Sequence, residues 1–160
     1  VVSGISNEAE LLRQIPLPGI QKVHFTSGGG GYLHAVVSVK KAYDGYGKMV
    51  GLAVLGTTAG RTVKIVTVVD DDIDPNDLAQ VNWAVTMRTR VDRGLEIIKD
   101  LSANVLDPTM TLHEKRLGSR TDKLIIDATK PLLEPLAPEC LPHAEIMEQV
   151  TRNRHKYGIE

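Results

Sequence analysis

The run VKIVTVV at Val63–Val69 constrains the fold more than any other stretch of the sequence. Its apolar residues fall on both faces of an extended chain instead of alternating with polar ones. This pattern is typical of a central strand in a sheet that is covered on both sides. Strand-like and helix-like segments alternate around it. We therefore predict one domain over residues 1–160, with a three-layer α/β/α architecture and a mixed β-sheet.

Local patterns place the other elements of this domain. Valine-rich or β-branched segments predict further strands, at Gly19–Thr26, Tyr32–Lys40, Leu95–Ile98 and Lys123–Asp127. Apolar residues at helical spacing predict helices, at Tyr46–Leu55, after Asp74 and at His143–Tyr157, with Gly158 as the stop. The glycines within Tyr46–Leu55 indicate a buried helix with close packing.

Composition and charge exclude several functional classes. The formal net charge is −1, the sequence pI is about 6.6 and aromatic residues make up 4% of the chain, so neither nucleic acid nor a membrane is an expected partner. A single cysteine, Cys140, excludes an intrachain disulfide and favours a cytoplasmic protein. Val1–Gly4 has neither an initiator methionine nor a signal-peptide pattern, so we expect a piece cut from a longer chain.

An acidic cluster follows the strongest strand, with five aspartates in the eight positions from 70 to 77. Ligands of open α/β sheets bind at this edge, so Asp70, Asp71 and Asp72 are candidates for holding a metal ion. The favoured interpretation gives them turn hydrogen bonds and makes Asp74 the cap of the next helix. Arg88 and Arg90 lie at the far end of that helix, and we expect neither to pair with the acids.

A run of four glycines, Gly28–Gly31, separates two predicted strands. Phosphate-binding glycine loops open a helix, whereas a strand-like segment follows here and Gly-Lys-Ser/Thr is absent. We therefore predict a connector. His24 and His34 flank it, but a metal site would need a third ligand that no nearby residue supplies.

Three segments carry a family resemblance: VHFTSGGGGYLHAVVSVKK, VVDDDIDPNDLAQVNWAVTMRTR and SANVLDPTM…GSRTDKLIIDATKP. In this order they resemble the C-terminal domain of UbiD-type decarboxylases and carboxylases, over Ile20–Pro131. The resemblance implies reversible decarboxylation of an aromatic or unsaturated acid with prenylated FMN. In this family a preceding flavin domain carries a Glu-Arg-Glu catalytic network and the ligands of a divalent metal, Mn²⁺ or Mg²⁺, with K⁺ as a further ion.

No segment of Val1–Glu160 matches that flavin domain. The resemblance therefore implies that this chain holds no catalytic, cofactor-binding or metal-binding residue and has no turnover alone. It implies instead a pocket-closing role, with substrate-facing candidates in two segments, Ser102, Asn104, Leu106, Lys130, Pro131 and Leu132. A cationic Lys130 predicts a substrate with a polar ring substituent; a solvated loop lysine is the open alternative.

The resemblance also implies the partners: the flavin domain, a small aromatic acid and further copies of the chain. The C-terminal helix offers an apolar face for assembly, made of Ile146, Met147, Val150 and Tyr157. Two alternatives stay open. One is a receiver-like phospho-acceptor module, suggested by VVDDD and ATKPL although their order is wrong for that fold. The other is an interaction subunit that meets its flavin domain as a separate chain.

Overall fold

The computed structural model of the chain describes residues 2–133, 136 and 142–159. Within them, five strands form a sheet, β1 (Ile20–Phe25), β2 (His34–Val39), β3 (Ile65–Asp70), β4 (Leu95–Ser102) and β5 (Arg120–Ala128). The helices are α1 (Val2–Gln14), α2 (Tyr46–Leu55), α3 (Leu78–Arg88), α4 (Leu112–Arg116) and α5 (Ala144–Arg152). Cys140 lies outside the described residues.

The sheet has the order β1-β2-β3-β5-β4. β2, β3 and β5 are parallel, whereas the edge strands β1 and β4 are antiparallel to their neighbours. The prediction of a mixed sheet in an α/β fold is confirmed. The three parallel strands all begin at one end of the sheet, here called the amino edge, and all finish at the opposite end, here called the carboxyl edge. These two edges are formed by strand ends and differ from the edge strands β1 and β4.

Helices cover both faces of this sheet. α1 and α2 pack on one face in an apolar core that includes Leu11, Val50 and Val66. α3 packs on the opposite face, where Val81 and Ala84 join strand residues in a second cluster. β3 is buried from both sides as VKIVTVV predicts, because its side chains contribute to both clusters.

α2 lies unusually close to the sheet because two of its residues are glycines. A Cβ atom at Gly51 would overlap the side chain of Ile125, and one at Gly47 would overlap the carboxylate of Asp127. The predicted close packing of this helix is confirmed. The contact between Gly47 and Asp127 places the start of α2 at the carboxyl edge of the sheet.

Two predicted helix boundaries are wrong. Asp77, not Asp74, caps α3, because the Asp77 carboxylate accepts the N–H groups of Ala79 and Gln80 at 2.9 and 3.2 Å. Asp74 instead accepts the N–H of Asn76 in the preceding turn. The helix predicted at His143–Tyr157 is two elements, since α5 ends before Asn153 and a 3₁₀ turn follows at Arg154–Tyr157.

Candidate functional site

On one face of the sheet, α3 covers the part towards the carboxyl edge. α3 packs on Val36, Val69 and Ala128, towards the carboxyl edge. Nearer the amino edge, a row of four paired residues crosses the sheet on the same face, made of His34, Ile65, Leu124 and Ile97. We call these four residues the open row. At the usual strand spacing the row is roughly 14 Å wide.

The two faces of the sheet differ sharply at this level. On the α2 side the neighbouring residues Ala35, Val66 and Ile125 are 0–1% exposed. In the open row, Ile97 is 58% exposed and the other three are partly exposed. A contiguous apolar strip on a sheet face indicates a surface that contacts another body. Sequence reasoning missed this row because it depends on the register of four strands.

A hydrogen-bonded polar group lies within this apolar strip. The two ring nitrogens of His34 lie 2.9 Å from the Thr67 hydroxyl and 3.3 Å from the Thr26 hydroxyl. Burial, together with the nearby His24, lowers the pKa of His34. His34 is therefore a neutral imidazole at neutral pH, held in place by two hydroxyls.

The predicted segment Ser102–Leu106 lies at the amino edge, beyond the open row along β4 and β5. Ser102 ends β4 opposite Arg120, the first residue of β5. The Asn104 side chain accepts the N–H of Leu106 at 2.9 Å and shapes a tight turn. Val105 and Leu106 are 56% and 64% exposed at its tip. The structure thus presents two exposed apolar side chains on a hydrogen-bonded turn at the amino edge.

The second predicted segment, Lys130–Leu132, lies at the opposite end of β5. This strand has nine residues, so the two segments are separated by roughly 26 Å. The chain therefore does not bring the six candidates into one pocket. Ser102, Asn104 and Leu106 are the candidates that lie at the same end of the sheet as the open row.

Side chains of the carboxyl edge hold the Lys130–Leu132 segment. Asp70 accepts the N–H of Lys130 at 2.7 Å, and Asp44 accepts the N–H of Leu132 at 2.9 Å. The nearly buried Lys41 donates to the Lys130 carbonyl. The Lys130 ammonium lies 2.5 Å from Asp72. Pairing of Lys130 with a substrate remains a prediction, and any substrate would compete with Asp72 for it.

Arg88 organises the acidic cluster, and the prediction that it lies out of reach is wrong. Its guanidinium donates two hydrogen bonds to Asp72, at 2.8 and 2.9 Å, and one to Asp70 at 3.4 Å. It also lies over the ring of Trp83. The chain leaves the sheet at the end of β3, and α3 leads it back, so the last residue of the helix lies close to the end of β3. Arg90 pairs with Asp92 instead.

These contacts separate the pKa values of the two neighbouring acids. Hydrogen bonds from Arg88 lower the pKa of Asp72 to about 2, with Lys130 adding to the effect. Burial raises the pKa of Asp70. Among the described residues no group of three or more His, Cys, Asp or Glu side chains could hold a metal ion. Asp70 and Asp72 act as structural anchors, and no observation supports a metal site with Asp71.

A buried lysine ties a turn to the amino edge on the α2 side. Lys123 of β5 is 2% exposed and donates to the carbonyls of Arg61 and Gly60, at 2.7 and 3.3 Å. Burial lowers its pKa to about 8, with Arg61 adding to the effect. This role could not be predicted from the sequence, because KLIID shows only strand character.

Two of the four residues of the predicted C-terminal apolar face, Ile146 and Met147, lie on α5 and are 52% and 46% exposed. Val150 on the same helix is partly buried, and Tyr157, 57% exposed, lies in the following 3₁₀ turn. Assembly through this face remains a prediction. No helix of the described residues is long and apolar enough to cross a bilayer.

Solved structures share this fold. The UbiD-class enzyme HmfF from Pelotomaculum thermopropionicum, in complex with FMN, matches with a TM-score of 0.78 and 34% identity, covering 94% of this chain and 33% of that one. The vanillic acid decarboxylase of Sedimentibacter hydroxybenzoicus, in its open form, matches with a TM-score of 0.71 and 30% identity, covering 96% and 33%. The fold is thus that of a part of UbiD-class enzymes.

Sequence comparison agrees with the structural class. The profile of the 3-octaprenyl-4-hydroxybenzoate carboxy-lyase C-terminal domain matches residues 1–128. The chain belongs to this UbiD C-terminal domain family. It is 37% identical over 131 residues to the anhydromevalonate phosphate decarboxylase of Aeropyrum pernix, covering 81% of this chain and 28% of the relative. The phenolic acid decarboxylase of Bacillus subtilis is 40% identical over 112 residues, covering 69% and 22%.

Each relative is much longer than the matched region, and the chain spans about a third or less of their length. The family and fold also disfavour the receiver-like alternative. Two of the five strands are antiparallel, and Asp70 and Asp72 of the VVDDD segment pair with Arg88, with Lys130 also pairing with Asp72.

Proposed function

We propose that this chain is the C-terminal domain of a UbiD-class enzyme that decarboxylates, or carboxylates, an aromatic or unsaturated acid with prenylated FMN. The chain forms one domain over residues 1–160, and its role is to close the substrate pocket over a flavin domain. The family membership and the decarboxylase relatives support the reaction class. FMN and prenylated FMN in related structures support the cofactor.

One observation carries the pocket-closing role. The open row and the exposed Val105 and Leu106 both lie towards the amino edge, on the part of the sheet that α3 does not cover. In a family whose members are about three times as long as the matched region, a surface of this kind fits contact with the remainder of the enzyme. We place the flavin domain and the substrate against it.

Among the residues that the structure describes, no group of three or more acid, histidine or cysteine side chains could hold a metal ion beside a flavin phosphate. Bound elsewhere in the enzyme, the flavin would supply the electron sink for decarboxylation. The residues of this chain would exclude water from the pocket and contact the acid. His34, neutral and fixed by two hydroxyls, would add a polar group to an otherwise apolar wall.

Two further roles belong to the proposal. The exposed face of α5, including Ile146 and Met147, would contact another copy of the enzyme. The enzyme would act in the cytoplasm on a small acid with a polar ring substituent.

Turnover measurements test the proposal. Release of CO₂ from an acid panel is followed for the enzyme with its flavin domain and prenylated FMN, and for the 160-residue chain with the same cofactor. The panel is anhydromevalonate phosphate, vanillic acid and 3,4-dihydroxybenzoic acid. We expect turnover only when the flavin domain is present. Turnover by the chain alone would place the catalytic groups in it and contradict the proposal.

A further inference from the structure

Asp107 anchors the loop that carries the exposed tip of the amino edge. It lies within LDPTM, just after Leu106, and is 1% exposed. One carboxylate oxygen accepts both the N–H and the hydroxyl of Thr109, at 2.9 and 2.7 Å. A buried carboxylate needs such partners, because burial of an unpaired charge is costly.

A lysine from another element completes this anchor. Lys64, which precedes β3, lies with its ammonium 3.1 and 3.0 Å from the two Asp107 oxygens and 2.5 Å from the Thr109 hydroxyl. The contact joins positions 43 residues apart in the sequence. It fixes the loop to the central strand of the sheet rather than to β4 alone. We call Lys64, Asp107 and Thr109 the clamp.

The Asp107 carboxylate is ionised at neutral pH. Burial by itself would raise the pKa of Asp107, but the hydrogen bonds from Thr109 and Lys64 outweigh it and hold the pKa below its usual value.

The clamp determines where the loop tip lies. The Asp107 N–H donates to the Asn104 carbonyl at 2.9 Å, and the Asn104 side chain accepts the N–H of Leu106. A shift of Asp107 would therefore move Val105 and Leu106. By contrast, the ion pair between Lys99 and Asp122 at the same end of the sheet is exposed on both sides.

We propose that Asp107 is a positioning residue: held by Lys64, it sets the location of the Asn104–Leu106 tip and thereby which acids the assembled enzyme accepts. This inference rests on the proposed function. Asp107 and Lys64 touch neither substrate nor flavin in this account, so they act on binding of the acid and not on the chemical step.

Kinetics of the enzyme with its flavin domain test the inference. Asp107→Asn and Lys64→Met are compared with the matched control Asp122→Asn, using the three acids of the panel. Because small displacements of positioning groups have large kinetic effects, we expect KM to rise about tenfold, kcat to change less than about twofold, and the preference among the acids to shift. Lys64→Arg should restore the wild-type preference, and the flavin absorption spectrum should stay unchanged.

Two kinetic results would overturn the inference. One is an Asp107→Asn enzyme that behaves like Asp122→Asn. The other is an equal loss of kcat for every acid together with loss of flavin, which would indicate general unfolding.

Amide hydrogen exchange of the 160-residue chain separates this inference from the proposed function. In Asp107→Asn we expect the amides of residues 103–110 to exchange about tenfold faster, with α2 unchanged and Asp122→Asn like the wild type. This result would support the clamp even if the enzyme showed no turnover with prenylated FMN. Unchanged loop exchange in Asp107→Asn would refute the clamp even if turnover were found.

Discussion

Replacement of Arg88 by methionine tests the assignment of the acidic cluster as a structural anchor. Arg88 is 4% exposed and makes two hydrogen bonds to Asp72, a longer one to Asp70 and a contact with the ring of Trp83. Arg88→Met keeps much of the apolar volume and removes the charge. The two acids would then lose the buried cation that they share, while Lys130 would still pair with Asp72.

The size of the expected loss of stability follows from the burial of the two acids that pair with Arg88. Removing one member of a buried ion pair costs about 3–5 kcal/mol. The Asp72 side chain is 43% exposed, so water can rehydrate it, and we reduce the expected loss to about 2–3 kcal/mol. Urea denaturation at pH 7, followed by far-UV circular dichroism, measures this free energy of unfolding. The matched control Arg90→Met removes an exposed arginine paired with Asp92, and we expect a change below about 0.5 kcal/mol.

The pH dependence of the stability provides an independent test, because its direction can be predicted. The pKa of Asp72 is about 2 in the folded chain, below its ordinary value of 3.8. Its stabilising contribution is therefore present above pH 3.8 and is lost as the pH falls towards 2. The stability difference between wild type and Arg88→Met should shrink over this range. Equal stability of Arg88→Met and Arg90→Met at pH 7, or a difference that grows with acid, would refute the anchoring role.

Three further predictions concern other parts of the chain. Gly60→Ala should destabilise the chain by more than about 3 kcal/mol in urea denaturation, because the added Cβ would overlap the Val54 carbonyl. The control is Gly28→Ala, since the space around Gly28 is open. Similar losses of stability in both variants would contradict this prediction. The pKa of Lys123 falls from 10.5 to about 8 on folding, so the unfolded chain binds more protons than the folded chain between these pH values. The stability of the wild type should therefore rise by roughly 3 kcal/mol relative to Lys123→Met as the pH increases from 8 to 10.5. Parallel pH profiles of the two proteins would contradict this prediction. In the enzyme with its flavin domain, Ile97→Asp should lower turnover at least about tenfold. The control Val91→Asp, at a position that is 75% exposed and outside the open row, should leave turnover unchanged. Equal effects of the two substitutions would argue against the open row as an interface.

The features that were predictable from the sequence are those that depend on neighbours along the chain. The VKIVTVV strand, the bounds of α2 and its glycine-mediated packing are local patterns of period and residue size. The cap at Asp77 was misplaced by three residues because two aspartates, Asp74 and Asp77, both suit that position and only the backbone geometry separates them.

The features that escaped prediction depend on tertiary pairing. Arg88 reaches Asp72 across 16 positions, and the open row exists only once four strands are in register. The six pocket candidates illustrate the same limit. Their resemblance to family segments says nothing about spacing, and the antiparallel pairing of β4 with β5 places Ser102 and Lys130 at opposite ends of the sheet.

The central claim is that the amino edge and the open row face the flavin domain. The most direct measurement is amide hydrogen exchange of this chain alone and as part of the enzyme with its flavin domain. We predict slower exchange in the enzyme for β4 (Leu95–Ser102) and for residues 103–110, with little change in α2. Equal exchange at β4 and this loop in both forms, or slowing confined to the carboxyl edge around Lys130–Leu132, would contradict the account.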